Sequence, residues 1–277
     1  MLPYVELPTL GPVTSFGILA MLGALFGLTA GLRHVQRLGL DVDVARRIAT
    51  YCAVGGVLGA HYVDLFFYQP GWWHHSDAVW RFINPFAGIS SYGGLIGGTL
   101  GFVIYTRSLG GQRLRYADAA TLGVVVLMTF GRAGCASVHD HVGVATSFPL
   151  AVDFPARSGV VGPHHDLGLY ELVLWLVILA ASVVVLRRPR RAGWYLGVVS
   201  IAYATPRFFL DMLRRAASDP RYATLTPAQW CCLFTLAIGV VLLLRSRRQP
   251  APTPYLSVTP WRTYIREWLP RFAVTRR

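Results

Sequence analysis

The sequence predicts an all-α polytopic membrane protein, a bundle of about seven transmembrane helices with a small external head. Three observations carry that reading. Hydrophobic residues fill 54% of the 277 positions and the mean hydropathy is +0.46, too apolar for an ordinary soluble domain. Apolar stretches recur near 12–32, 46–67, 87–106, 117–133, 167–186, 193–211 and 228–244. Each approaches the roughly 20 residues that a helix needs to cross about 30 Å of hydrocarbon. Finally, basic residues collect on alternate connections between these stretches.

All 26 basic residues are arginine. The first, third and fifth connections and the C-terminal tail hold 19 of them, including Arg33, Arg46, Arg107, Arg113, Arg187, Arg188 and Arg248. The remainder are Arg81, Arg132, Arg157, Arg207, Arg214, Arg215 and Arg221. Cytoplasmic loops retain positive charge, so the expected topology is N-terminus outside (periplasmic or extracellular) and C-terminus cytoplasmic. The net charge of +13 is then a topology signal and an attraction to anionic lipid, and nucleic acid is not an expected partner. Glu6 is the only charge before the first apolar stretch, which lacks a basic leader and reads as a true span. Residues 1–248 form the expected membrane domain. Residues 249–277 form a basic, aromatic tail in which Trp261, Tyr264, Trp268 and Phe272 alternate with arginines, favouring an interfacial helix. Four cysteines make no disulfide or zinc framework.

Taken in order, several spans carry polar residues that an apolar environment penalises. In the second, His61 and Asp64 stand three apart, a spacing that lets a carboxylate orient an imidazole or simply fixes packing. The third opens Ser90-Ser91-Tyr92-Gly93-Gly94-Leu95-Ile96-Gly97-Gly98. Glycines four apart permit close helix contact, and they also leave backbone open to a ligand. The fourth ends in Gly131-Arg132-Ala133-Gly134-Cys135, and the loop near 134–166 bears His139-Asp140-His141 and His164-His165-Asp166. No metal-ligand spacing such as HExxH accompanies these clusters, so no metal is expected. In the sixth, Tyr203, Arg207, Asp211 and Arg214 fall on one helical face. Two arginines at the outer membrane surface suit a lipid phosphate, which a guanidinium grips bidentately.

These residues, in this order, resemble the prolipoprotein diacylglyceryl transferase family of bacterial plasma-membrane enzymes, from the first span to the seventh. The family signature Gly-Arg-x-Gly-Asn, followed by Asn-Gly-Glu-x-x-Gly, is matched by Gly131, Arg132, Gly134 and Gly143. Its His-Gly-Gly-Leu-Ile-Gly-Gly element is similar to Tyr92–Gly98, and His-Pro-x-Gln-Leu-Tyr-Glu to His165, Leu169, Tyr170 and Glu171. Tyr203, Arg207 and Phe208 match a Tyr-x-x-x-Arg-Phe element, and Gln229, Asp118 and Gly59-Ala60 also fit. The chain departs from the pattern at several points. Tyr92 replaces a His, and Cys135 and Val138 replace Asn. His139 replaces Gly, Asp140 replaces Glu, His61 an Arg, Phe16 a Tyr, and Asp211 a Glu.

The resemblance implies transfer of a diacylglyceryl group from phosphatidylglycerol to the lipobox cysteine of a lipoprotein precursor in the bacterial inner membrane. No cofactor is needed. It implies catalytic roles for Arg132, Arg207, Tyr92 and Asp140, while the spacing of His61 and Asp64 offers that pair for the proton chemistry. Substrate binding would fall to Gly93, Gly94, Gly97, Gly98, Gly134, Gly143, Tyr203, Asp211, Arg214, His139, His165, Tyr170 and Glu171. A thiol of pKa about 8.5 must ionise, and with Tyr92 in the family's His position the expected base is His61 backed by Asp64, or His139 or His141. Two other readings are a non-catalytic or altered-specificity lipid- or lipoprotein-binding paralogue, and a metal-dependent hydrolase using the His/Asp clusters. The topology is directly testable. Single cysteines placed at Arg188 and Arg248 are expected to resist membrane-impermeant thiol reagents in intact cells, and labelling there from outside would invert the orientation.

Overall fold

The computed structural model describes residues 1–4, 14–84, 88–155, 159–215 and 219–256, so the expected tail helix over Trp261–Phe272 lies outside the described residues. Seven long helices coincide with the seven apolar stretches: α1 Ser15–Arg37, α2 Val42–Val63, α4 Ser91–Thr106, α5 Arg113–Val138, α6 Leu167–Val185, α7 Trp194–Leu210 and α8 Pro227–Ser246. A one-and-a-half-turn α3, Ala78–Ile83, lies between α2 and α4. Local chemistry sets the starts. Thr14, Asp41, Ser90, Asp166 and Thr226 accept backbone N–H groups at the heads of α1, α2, α4, α6 and α8, and Thr226 forms a reciprocal capping box with Gln229. Asp118 on α5 does the same across a gap, accepting from the amides of Gly193 and Leu196 at the head of α7, each at 2.8 Å.

Among the described residues, five helices are long and apolar enough to cross a membrane: α1, α5, α6, α7 and α8. The other two fall short for visible reasons. α4 has only 16 residues, and α2 opens with Asp43, Arg46 and Arg47. The distribution of polarity is that of a protein in lipid. Leu25, Phe26, Val54, Leu100, Val177, Phe234 and Val241 are exposed on the outside of the bundle, while Arg132, Glu171, Arg207 and Asp211 are buried inside it.

Packing is organised in helix pairs, α1 with α5, α2 with α4, and α7 with α8. Glycine makes the first two possible. A Cβ on Gly97 would collide with the backbone of Gly55 and Gly59, and one on Gly27 with the carbonyl of Gly123. Such contact lets backbones approach where a larger side chain would hold them apart.

The head corrects the expectation of an all-helical chain whose loop begins near 134. α5 runs on to Val138 and stops at His139, whose φ of 52° is left-handed. Gly134 does not break the helix; it lies against Phe16 of α1. A four-stranded sheet follows, ordered β1-β3-β4-β2, with β1 Leu2–Pro3, β2 Val142–Ala145, β3 Val152–Phe154 and β4 Gly162–Asp166. β1 pairs parallel to β3, the other pairs are antiparallel, and the β2–β4 register shifts between Val142 and Ala145. Short alternation within 142–166 was masked by its Gly, Pro and His content.

The α2–α4 contact gives a sharp test. Gly97→Ala is expected to destabilise by about 1–3 kcal/mol through overpacking. Gly98→Ala, whose new methyl would meet Cys52 only at an ordinary 3.4 Å, is expected to be neutral or mildly stabilising. Unfolding of both variants in mixed detergent measures the difference, and equal effects would contradict this packing.

Candidate active site

The arginine-poor ends of α4, α5, α6 and α7 converge on a buried ionic network. Arg132, near the end of α5, and Arg207, near the end of α7, are 3% and 2% exposed, and Glu171, in the first turns of α6, is 0% exposed. Glu171 joins the two arginines. Its Oε2 lies 3.0 Å from Arg132 Nη2 and its Oε1 lies 3.4 Å from Arg207 Nε. Arg207 Nη1 reaches Asp211 Oδ1 at 2.7 Å, and the same oxygen receives Arg214 Nε at 2.8 Å. Thr226, at the head of α8, donates to the other Asp211 oxygen, and Arg214 Nη1 continues to Asp219 at 3.0 Å. Arg132 Nη2 also donates to Ser91 Oγ on α4 at 2.9 Å. Every charge thus has a counter-charge, the condition for keeping ions out of water.

Arg132 retains unused capacity. Its Nε has no hydrogen-bond partner among the described residues, and Nη1 makes only long contacts, 3.3 Å to His141 Nε2 and 3.8 Å to Cys135 Sγ. Beyond it, His141 Nδ1 lies 2.5 Å from Asp140 Oδ1. His139 Nδ1 lies 2.6 Å from Asp166, and its ring stacks on Tyr4 at 4.5 Å between centroids. Cys135, Asp140 and His141 bring three donor atoms within 4.8 Å of one another. They do not suit a metal ion, because both His141 nitrogens are engaged and a permanent guanidinium charge touches the group.

Sequence comparison matches residues 5–245 to the prolipoprotein diacylglyceryl transferase family. The chain belongs to that family. A phosphatidylglycerol–prolipoprotein diacylglyceryl transferase of Chromohalobacter salexigens is 30% identical over 252 residues, covering 87% of this chain and 91% of that protein. Proteins of the same name from Frankia alni and Nitratidesulfovibrio vulgaris are each 28% identical, over 87% and 84% of this chain and 65% and 89% of their own lengths.

Against the family's pattern, the residues expected at the site fall into three groups. Arg132, Arg207, Asp211, Arg214, Glu171 and Tyr203 come together, with the Tyr203 ring lying 4.6 Å from Trp175 and 6.0 Å from Tyr92 between centroids. Asp140 and His139 flank them in the turn after α5. His165 Nδ1 meets the Tyr170 hydroxyl at 3.0 Å in the sheet, where burial and the neighbouring His164 push the His165 pKa down and favour the neutral ring.

The expected His61–Asp64 pair does not form. His61 Nε2 lies 3.1 Å from the Phe82 carbonyl, whereas Asp64 accepts from Gln69 at 2.6 Å. Each side chain is taken by another partner: the Phe82 carbonyl holds the imidazole, and Gln69, at the end of the π-helical turn Asp64–Tyr68, holds the carboxylate. Among the described contacts, none joins His61 to Arg132 or Arg207. The glycines expected to open backbone to a ligand are also reassigned: Gly93 and Gly97 are filled by α2, and Gly143 faces Leu213 and His165, while Gly94 and Gly98 have more room. Tyr92 engages Cys232 Sγ at 2.8 Å.

Sequence reasoning missed Ser91, Thr226 and Cys232 as partners, since a hydroxyl or thiol in a span carries no pattern of its own. Asp166, read from sequence only as part of a His/Asp cluster, caps α6; an acid just before an apolar run is the signal that shows it. Removing the bridging carboxylate by Glu171→Ala leaves the buried Arg132 without its counter-charge among the described residues, and Arg207 with Asp211 alone. A loss of about 3–5 kcal/mol is expected, read as a lower unfolding midpoint in detergent; an unchanged midpoint would mean that water or lipid already compensates the pair.

Proposed function

We propose that this chain transfers a diacylglyceryl group from phosphatidylglycerol to the lipobox cysteine thiol of lipoprotein precursors, forming a thioether and releasing glycerol phosphate. The observation that carries the reading is the convergence of Arg132 and Arg207, from different helices, on one point in a buried network. That point now holds the Glu171 carboxylate. A carboxylate and a phosphodiester present similar paired oxygens to a guanidinium, so a phosphate can compete for the same donors, with the under-used Arg132 Nε and Nη1 in reserve.

The chemistry is a displacement at carbon. The sulfur bonds to the glycerol carbon as the carbon–oxygen bond to phosphate breaks, and negative charge grows on the departing phosphate. Fixed positive groups in a dry site stabilise that growing charge more than the starting diester. No redox or group-carrying cofactor enters such a step. An open groove of about 540 Å³ on the flank of α6 and α7, lined by Tyr170, Leu174, Pro206, Phe209 and Leu213, supports lateral entry of lipid next to the helices that carry Glu171 and Arg207.

In this reading all seven long helices span the bacterial plasma membrane, α2 and α4 crossing as a mutually shielding pair. The site and sheet lie at the outer face, the arginine-rich ends lie inside, and residues near 139–166 form the external head.

Purified protein in phosphatidylglycerol-containing vesicles is expected to modify a lipobox peptide. Arg132→Ala and Arg207→Ala should each lower the rate by at least 10²- to 10³-fold, with poor rescue by Lys, which lacks the planar fork. Full activity in Arg132→Ala would overturn the phosphate role. Failure of the gene to rescue cells depleted of their own transferase, with lipid binding intact, would instead favour a lipid-binding protein without turnover.

A further inference from the structure

We infer that the Asp140–His141 pair is the proton acceptor for the incoming thiol, in place of the histidine that this chain lacks at Tyr92. The inference rests on the transferase reading above and deepens it. Its basis is the order of three side chains. Arg132 Nη1 lies 3.3 Å from His141 Nε2, and His141 Nδ1 lies 2.5 Å from Asp140 Oδ1.

Arginine has only donors, so when Arg132 bonds His141 the Nε2 atom must be the acceptor. The ring proton is then on Nδ1, donated to Asp140. A carboxylate behind Nδ1 and a lone pair on Nε2 is the arrangement that a general base requires, and here the lone pair faces Arg132, the residue proposed to hold the lipid phosphate. The ring is fixed in place by its backbone, since the His141 carbonyl accepts from the Leu167 amide at 3.0 Å at the head of α6. The charged and titratable groups facing it are Arg132 and Cys135 from α5, Asp140 on its own turn and Glu171 from α6.

The other histidines are less suited. His61 Nε2 points its proton at the Phe82 carbonyl and has no carboxylate behind it. His139 also has a carboxylate, Asp166, behind Nδ1, but its ring is packed against Tyr4 and Phe154, whereas the His141 ring reaches Arg132. Tyr92 is engaged with Cys232.

The proposed step balances. As the lipid phosphate draws Arg132 Nη1 away, His141 Nε2 takes the proton of the precursor thiol. The sulfur electron pair forms the bond to the glycerol carbon, the carbon–oxygen pair leaves on the phosphate, and the imidazolium returns its proton to that oxygen. Reactants and products then differ only in the exchange of thiol hydrogen for diacylglyceryl.

Transfer from phosphatidylglycerol vesicles to a lipobox peptide is followed against pH in the wild type, His141→Gln and Asp140→Asn, with the unfolding midpoint of each as a check on folding. The wild-type rate should fall on the acid side as the imidazole protonates. His141→Gln should lose about 10²- to 10⁴-fold near neutrality and lose that acid limb, and Asp140→Asn should retain the limb at a displaced pH with a smaller loss. Histidine-selective ¹⁵N spectra of the wild type should show, beside the Nδ1–H rings that His139 and His164 owe to their oxygen partners, a neutral Nδ1–H ring that alone vanishes in His141→Gln, a readout independent of turnover. A wild-type rate and acid limb in His141→Gln, or an Nε2–H ring at this position, overturns the inference while leaving the transferase reading intact. Absence of transfer by the wild type overturns both.

Discussion

A charge held away from water must be met by another charge, and at the arginine-poor ends of these helices that requirement is met by Glu171. One carboxylate, fully buried, stands between guanidinium groups delivered by two helices that would otherwise repel each other. Its removal leaves a mismatch that no neighbour is positioned to cover. The surrounding order follows from it. Asp211 is needed to balance Arg207 and Arg214, Thr226 completes Asp211, and Asp219 closes the chain of partners at the surface. A polar interior of this kind is stable because apolar side chains face outward, the reverse of a protein folded in water.

Much of this architecture was legible in the chain. Length and apolarity locate the helices because a bilayer imposes both. Arg132 and Arg207 stand out in the sequence because, where arginine is scarce, each survivor must have a partner or a task; that Glu171 joins them was not legible. What the sequence hid is local geometry. His61 and Asp64 keep α-helical spacing, yet the Phe82 carbonyl and Gln69 claim their side chains, and nothing in the spacing announces those partners. The sheet was hidden by strands of two to five residues, too short for alternation to register.

His139 illustrates how a departure from family pattern can be absorbed. The family has glycine there, and the backbone explains the choice, since φ at this residue is 52°. A histidine in that conformation bears a steric cost of the order of 1–2 kcal/mol. The bond to Asp166 and the stack on Tyr4 offset it, and they anchor the turn that presents Asp140 and His141. The unusual residue therefore helps to aim the two that follow it.

The glycine-packed helix pairs have a mechanical consequence. Each pair is stiff, because its backbones are in contact and neither helix can slide without collision. Between the pairs the bundle is softer: α6 meets α7 over far less of its length than it meets α5. The open groove follows that soft seam, and the Glu171–Arg207 contact, at 3.4 Å the loosest ion pair of the network, crosses it. Parting the seam would release this latch while leaving Arg132 with Glu171 on one side and Arg207 with Asp211 on the other. A bulky two-chained molecule could then pass between two rigid bodies without unfolding either.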